Sequence, residues 1–319
     1  MITFFTTAKP FRGHLGVIQN NALRSWKLLG PDVEVILFGD DEGSAEAAAR
    51  LGLRHEPNVE RNEQGTNLVS SLFEKAQQIA KHDLVCYCNC DIVVTNDFRR
   101  AASLLQSWQS RFLMVGRRWD TDITAPIDFS QASWEKDLLA LAHSTGFQRA
   151  YFNIDYFLFT KGLYQDVPPF AIGRLTWDNW LVWKVRELQV PIVDASAMVC
   201  AVHQNHDYSH HPQGMQGVWE GEEARRNVEL VGPRYRSRTI EDATYKLTEA
   251  GPVKNGWYWL APAKRRWRGA KRHVSGAWRT WVWHPLLDLS RPVRRALGLR
   301  QSAVPGALRS SKRRHPMDW

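Results

Sequence analysis

The stretch DLVCYCNCDIVVTND, residues 83–97, decides how the chain is read. It opens with strand-forming residues and then carries two polar side chains, Asn89 and Asp91, two positions apart. Alternate residues of a strand share a face, so Asn89 and Asp91 project together. The same rule points Cys86, Cys88 and Cys90 to one face, where neighbours along one strand do not reach disulfide geometry. A zinc site of the C-x-C-x-C kind is the rival reading, and burial of a packed strand is preferred over it. With Cys200 as the fourth, the cysteines form no disulfide framework and suit a reducing compartment.

The residues before this stretch alternate strand and helix. ITFFTT at 2–7 reads as a first strand, and Leu15, Val17, Ile18, Leu23, Trp26 and Leu29 recur at helical spacing until Gly30-Pro31 stops them. VEVILF at 33–38 is a second strand, ending in GDDEG. An Ala-rich helix follows at about 43–51, then a short strand near 53–56, and a helix over 67–80 that leads into the strand at 84–88. Strands that are apolar throughout, in β-α-β-α-β order, imply a doubly wound, mainly parallel α/β sheet with helices on both faces. Such sheets bind ligands at the carboxyl ends of their strands, where Asn89 and Asp91 fall. No G-x-G-x-x-G follows the first strand and no G-x-x-x-x-G-K-[ST] occurs, which argues against dinucleotide oxidoreductases and P-loop NTPases.

The second half is less regular. RFLMVG at 111–116 and YFLFT at 156–160 read as strands, TWDNWLVWKVREL at 176–188 as a helix, and 191–193 and 198–202 as short strands. HQNHDYSHH, residues 203–211, comes next, followed by a polar helix over about 218–229. From about Lys254 the composition shifts to Trp, Arg, Lys and Pro. The expected organisation is one domain over 1–252, with its nucleotide-binding half at about 1–98, and a basic C-terminal helical extension over 253–319.

The net charge of +9 belongs to that extension. Residues 261–319 hold 15 Lys and Arg against two Asp, so everything before them is net negative and no nucleic acid partner is expected. Trp267, Val274, Trp278 and Trp281 form an aromatic stripe among Arg and Lys, the pattern of a helix lying on an anionic membrane surface. A disordered basic arm and a helix packed on the core are its alternatives. No apolar run approaches a membrane span, and MITFFTTAKPF has neither the basic nor the long apolar region of a secretory signal. The expectation is a cytoplasmic protein, peripheral on the cytoplasmic membrane face.

A carboxylate at the end of a central strand can hold a hard divalent cation that neutralises a diphosphate, although Asn89 and Asp91 also suit a plain strand cap and turn continued by Asn96-Asp97. Over roughly residues 1–215 the chain resembles the nucleotide-sugar glycosyltransferases of the GT-A fold. Their D-x-D motif corresponds to Asn89-Cys90-Asp91, with an amide where the first carboxylate stands. The resemblance implies Mn²⁺ or Mg²⁺ held mainly by Asp91 and a histidine, His203 or His206. It implies a donor side made of Asn89, of Thr7, Lys9 and Arg12 in TTAKPFRG, of Asp40 and Asp41 in LFGDDEG, and of Gly65 and Thr66. It also implies a carboxylate that deprotonates the acceptor, for which Asp178 in GRLTWDNWLVWKV is the candidate, with Arg118, Trp119, Asp155, Arg174 and Trp177 on the acceptor side.

Each of these has a plainer reading. The His cluster also suits a polar surface loop or a knot of hydrogen bonds. Asp178 also suits a carboxylate stabilised at a helix N-terminus, with Trp177 and Trp180 as core. Arg118, Asp120, Asp155 and Arg174 also suit surface ion pairs. The expected activity is metal-assisted sugar transfer from a nucleotide-diphosphate donor to a glycan or lipid-linked acceptor, as in polysaccharide biosynthesis. A glycan- or nucleotide-sugar-binding protein without activity is the alternative, and a nucleotidyltransferase is disfavoured because TTAKPFRG lacks a Gly- and Arg-rich first loop.

Overall fold

The structure, a computed structural model, describes residues 1–207, 214–261, 263 and 264. The chain forms two compact units, Met1–Tyr258 and Trp259–Trp319. Of the second unit only residues 259–261, 263 and 264 are described. The expected amphipathic helix with Trp267, Val274, Trp278 and Trp281 lies outside the described residues, as do Tyr208, His210 and His211.

The first unit opens with β1 (Ile2–Thr7), α1 (Gly13–Leu28), β2 (Glu34–Phe38), α2 (Ser44–Leu51), β3 (Arg54–Glu56), α3 (Val69–Ile79) and β4 (Leu84–Cys88). β1 lies between β2 and β4, parallel to both, with Phe5 opposite Ile36 and Tyr87. Burial on both faces is what makes these strands read as unbroken apolar runs. In α1 the buried residues Ile18, Ala22, Leu23 and Trp26 line one stripe, and Trp26 stacks on Phe4 with centroids 5.3 Å apart. Its indole Nε1 donates to the carbonyl of Ile92 at 2.9 Å, so a core aromatic also anchors the chain just beyond Asp91.

Next come β5 (Ile92–Val93), α4 (Asn96–Trp108), β6 (Leu113–Val115), β7 (Arg118–Thr121), α5 (Trp134–Thr145), β8 (Phe147–Gln148), β9 (Tyr156–Thr160) and α6 (Trp177–Glu187). β10 (Ile192–Asp194), β11 (Ala201–Gln204), α7 (Gly214–Glu220), α8 (Glu222–Leu230), β12 (Tyr245–Thr248) and β13 (Gly251–Lys254) complete it. The main sheet has nine strands in the order β13-β12-β10-β6-β9-β4-β1-β2-β3. β9 and the edge strand β13 run against the rest, which are parallel. The chain is thus the mainly parallel α/β protein that its strand pattern implies. A second sheet, β5-β11-β7-β8, stands apart from it.

β4 divides the core. Cys86 and Cys88 face the side packed by Trp26 of α1 and by Phe98, Ala101 and Leu105 of α4, and Cys90 follows them there. Val85 and Tyr87 face the side packed by Phe73 of α3 and Leu181 of α6. All four cysteines are free and buried, so the thiols fill core space.

Three expectations change. Asn96-Asp97 opens α4 instead of a turn: Asp97 takes the Thr95 hydroxyl at 2.8 Å and the Cys200 amide at 2.8 Å. The polar helix over 218–229 is two helices broken at Gly221, where an added Cβ would run into the carbonyl of Gly217. The boundary between 252 and 253 falls inside the β12–β13 hairpin, and the first compact unit runs on to Tyr258.

Where β6 ends, an added Cβ on Gly116 would overlap Tyr156 Oη and lie 3.2 Å from the backbone nitrogen of Ser196. Tyr156 is fully buried against Phe98, and its hydroxyl has no hydrogen-bond partner. Gly116→Ala is therefore expected to cost about 1–3 kcal/mol by overpacking. Tyr156→Phe alone should cost little, and added to Gly116→Ala it should restore part of the loss. Urea unfolding of the three variants checks this; a double variant no more stable than Gly116→Ala would refute it.

Candidate metal and donor site

The site grows out of strand register. β11 lies between β5 and β7, with His203 opposite Ile92 on one side and Asp120 on the other. The Gln204 amide donates to the carbonyl of Asp91 at 3.1 Å. The Gln204 side chain, fully buried, accepts from Asn21 at 2.9 Å and donates to the Ile18 carbonyl at 2.8 Å, both on α1. These bonds fix Asp91, His203 and Asp120 side by side. His206, two residues past β11, turns back so that Nε2 lies 3.2 Å from Asp91 Oδ2, with His203 Nε2 3.7 Å from the same oxygen.

One ligand atom from each of Asp91, His203 and His206 lies within 4.8 Å of the others. The other carboxylate oxygen of Asp91, Oδ1, is buried without a hydrogen-bond partner. Burial opposes its charge, yet His203, His206 and Lys9 hold the Asp91 carboxyl well below the usual range. A carboxylate with two imidazoles is a donor set that suits a divalent cation of the Mn²⁺ kind. An orphaned carboxylate oxygen beside two ring nitrogens fits such an ion.

Asn89 is not directed at that position. Its Oδ1 accepts from Tyr87 Oη at 2.8 Å and its Nδ2 donates to Asp155 Oδ1 at 2.7 Å. Arg118 donates to the same Asp155 oxygen at 2.7 Å and, through Nε, to Asp120 Oδ1 at 2.9 Å. Arg149 donates to Asp120 Oδ2 at 2.5 Å. Burial disfavours the Arg118 charge, but Asp155 and Asp120 outweigh it and hold the guanidinium protonated. Asp120, despite its own burial, is held below the usual carboxylate range by His203, Arg118 and Arg149. Arg118 is thus committed to protein carboxylates. Trp119 points to the opposite face of β7 from Arg118 and Asp120, edge-on to His143 with centroids 4.9 Å apart.

On the donor side, the Lys9 backbone is clamped by Gln19 at 2.6 and 2.9 Å. Burial pulls its ammonium below the ordinary lysine value, with Asp91 opposing. Thr7 Oγ1 accepts from Asn67 at 2.6 Å. Asp40 and Asp41 share Arg61, at 2.5 and 3.2 Å, and Arg61 also reaches the Gly65 carbonyl at 3.0 Å. No local sequence signal marks Arg61, whose partners lie about twenty residues back. The Thr66 amide donates to Asn62 at 2.8 Å. Arg174 is tied to Glu223 at 2.6 and 2.8 Å, so its charge is already matched. Arg12 pairs with Glu42 at the surface. With His14, Leu15, Asn205, His206 and Asp207 it lines a cavity of about 510 Å³ that opens beside His206.

Trp177 is buried, with its ring 5.3 Å from Tyr87 edge-on and 5.8 Å from Phe157. It belongs to the core and offers no open face to a sugar ring. Asp178, the next residue, sits in the first turn of α6, which starts from Thr176 at a left-handed φ of 77°. Burial pushes its carboxyl up to about 7, with Asp155 adding to the effect and the amides of Asn179 and Asp178 opposing it. The residues singled out in the sequence therefore divide. Asp91, His203 and His206 lie together and connect through Asp120 to Arg118, Asp155 and Asn89, with Lys9 near enough to act on the charge of Asp91 and Asp178 near enough to feel that of Asp155; Thr7, Asp40, Asp41 and Gly65 lie around Asn67 and Arg61; Trp119 and Trp177 face elsewhere.

No family model matches the chain, and no curated protein matches it. Among solved structures it is similar to glucosyl-3-phosphoglycerate synthase from Mycobacterium tuberculosis with Mg²⁺ and uridine diphosphate, at 13% identity over 72% of this chain and 78% of that chain, TM-score 0.44. The same enzyme with Mn²⁺, uridine diphosphate and phosphoglyceric acid aligns at 12% identity over 72% and 77%, TM-score 0.44. A mycobacterial protein aligns at 13% identity over 72% and 73%, TM-score 0.43.

Asn89→Asp would complete a D-x-D sequence, yet it would set a second carboxylate against Asp155 at the present 2.7 Å and remove the donor between them. Like charges that close do not both ionise, so the variant should lose about 1–3 kcal/mol. Adding Asp155→Asn should return most of it. Chemical denaturation decides, and an Asn89→Asp protein as stable as the parent would count against this account of the amide.

Proposed function

We propose that the chain is a metal-assisted glycosyltransferase that moves a sugar from a nucleotide-diphosphate donor to a glycan or lipid-linked acceptor. The observation that carries this reading is the cluster of Asp91, His203 and His206 just past the carboxyl end of β4, with one carboxylate oxygen buried and unpartnered. A parallel sheet opens its ligand crevice at that end of its strands. A divalent ion held by those three residues would supply positive charge to a departing diphosphate, the largest charge that develops in such a transfer.

The chain's own groups fill the remaining roles. The Lys9 ammonium, beside Asp91, gives the diphosphate a second cation. Asp40 and Asp41, held in place by Arg61, present acceptors for the hydroxyls of a ribose or the edge of a base. Asp178, whose carboxyl loses its proton near neutrality, is suited to take the proton of an attacking hydroxyl.

Asp91→Ala should abolish Mn²⁺-dependent binding of UDP and GDP in calorimetry, whereas Cys88→Ala, buried in the strand below, should alter stability alone. Equal nucleotide affinity in Asp91→Ala and the parent would end the reading. Incubation with nucleotide sugars distinguishes the alternatives: a glycosyltransferase releases nucleoside diphosphate, a nucleotidyltransferase exchanges pyrophosphate, and a binding protein does neither.

The proton step predicts a pH dependence. A base works only when ionised, so transfer should rise with pH and level off above about 7, where Asp178 is deprotonated. Asp178→Asn should lower transfer by about 10²–10⁴-fold, flatten that rise and leave donor affinity unchanged. Near-parental transfer by this variant, or retained configuration in the product, would remove the base role.

A further inference from the structure

We propose that Asp120 is a positioning residue: by taking the Nδ1 proton of His203 it turns the bare Nε2 of that ring toward Asp91. The inference rests on the metal reading above and names what makes His203 a ligand. Asp120 and His203 are direct neighbours across the parallel β7–β11 pair, with His203 Nδ1 3.2 Å from Asp120 Oδ1. At that distance the buried Nδ1 does not yet meet hydrogen-bond geometry, so a small turn of the ring is needed to seat its proton on Asp120 when Nε2 gains a partner.

His206 is arranged in the same sense. Its Nδ1 lies 2.6 Å from the carbonyl oxygen of Asp207, an atom that only accepts. In both rings, then, Nδ1 faces an acceptor and must carry the proton when the ring is neutral. Each Nε2 consequently presents a lone pair, and both point at one carboxylate oxygen, Asp91 Oδ2, from 3.7 and 3.2 Å. While both rings are neutral, three acceptors converging on one point repel one another unless a cation lies between them. A second proton on each ring relieves the same repulsion, so the neutral pair is the form that suits a metal ion.

Asp120 is well built for this task. Arg118 and Arg149 fix both of its oxygens, and with Asp155 they form two buried guanidinium–carboxylate pairs whose charges already cancel. A neutral imidazole can lean on Asp120 without upsetting that balance. A carboxylate that holds the far nitrogen of a ligating histidine fixes the tautomer and orientation of the ring, and its loss typically weakens metal binding about 10- to 100-fold.

Two measurements on the full chain test the proposal. Two-bond ¹H–¹⁵N correlation spectra at about pH 8.5, above the ordinary imidazole range, should show the Nδ1–H pattern for His203, assigned by the signals lost in His203→Gln. An Nε2–H pattern overturns the proposal, and this arm stands even if the Asp120 variant fails to fold. Calorimetry with Mn²⁺ alone should show Asp120→Asn binding about 10- to 100-fold more weakly than the parent. A folded Asp120→Asn with parental Mn²⁺ affinity refutes the role of Asp120 while leaving the metal site in place. A parent chain that binds no Mn²⁺ refutes the metal reading, and the proposal falls with it.

Discussion

The site depends on the position of one short strand. β11 is held on one side by two residues of β5 and on the other by β7, and Gln204 ties it to α1 from within the core. A slip of one residue along that strand would turn His203 from the carboxylates into the apolar cluster of Val93, Leu138 and Val202. The register is protected because Val202 has nowhere else to bury itself and Gln204 nowhere else to satisfy its amide. Burial of neighbours on either side is thus what aims the His203 ring at Asp91.

Around this strand the charges form a connected solid. Arg149, Asp120, Arg118, Asp155 and Asn89 follow one another at hydrogen-bond distance, joining β7 to the start of β9 and the end of β4. Buried pairs of this kind contribute little net stability, since desolvation consumes most of the attraction, but removing one member leaves a stranded charge. Their value here is geometric. Three backbone segments from two sheets are pinned at the point where Asp91 emerges.

Much of the main sheet was legible in the sequence. β1, β2, β4 and β9 are buried on both faces, and an unbroken apolar run is what such a strand must be. The second sheet was not. β5 and β8 have two residues each, and β7 is the charged string RWDT, so neither length nor alternation marks them. The helix α4 hid behind Asn96-Asp97, which read as a turn because side chains that cap helices also make turns. Asp91, His203 and His206 could be picked out because a polar pair ending a strand and a dense His cluster are both local signals. Arg61 and Glu223 could not, because each matters only through partners distant in sequence. Trp177 misled for a related reason: a tryptophan beside an aspartate reads the same whether its ring faces a ligand or Tyr87.

The alternating thiols of β4 give this strand a built-in stopwatch. Burial pushes Cys86 and Cys88 well above the ordinary thiol range, so an alkylating reagent meets neither an accessible sulfur nor a thiolate while the strand is seated. Labelling must wait for β4 to leave its place between β1 and β9. The half-time of alkylation therefore counts how often the floor beneath Asp91 opens, and anything that braces that floor will slow the count.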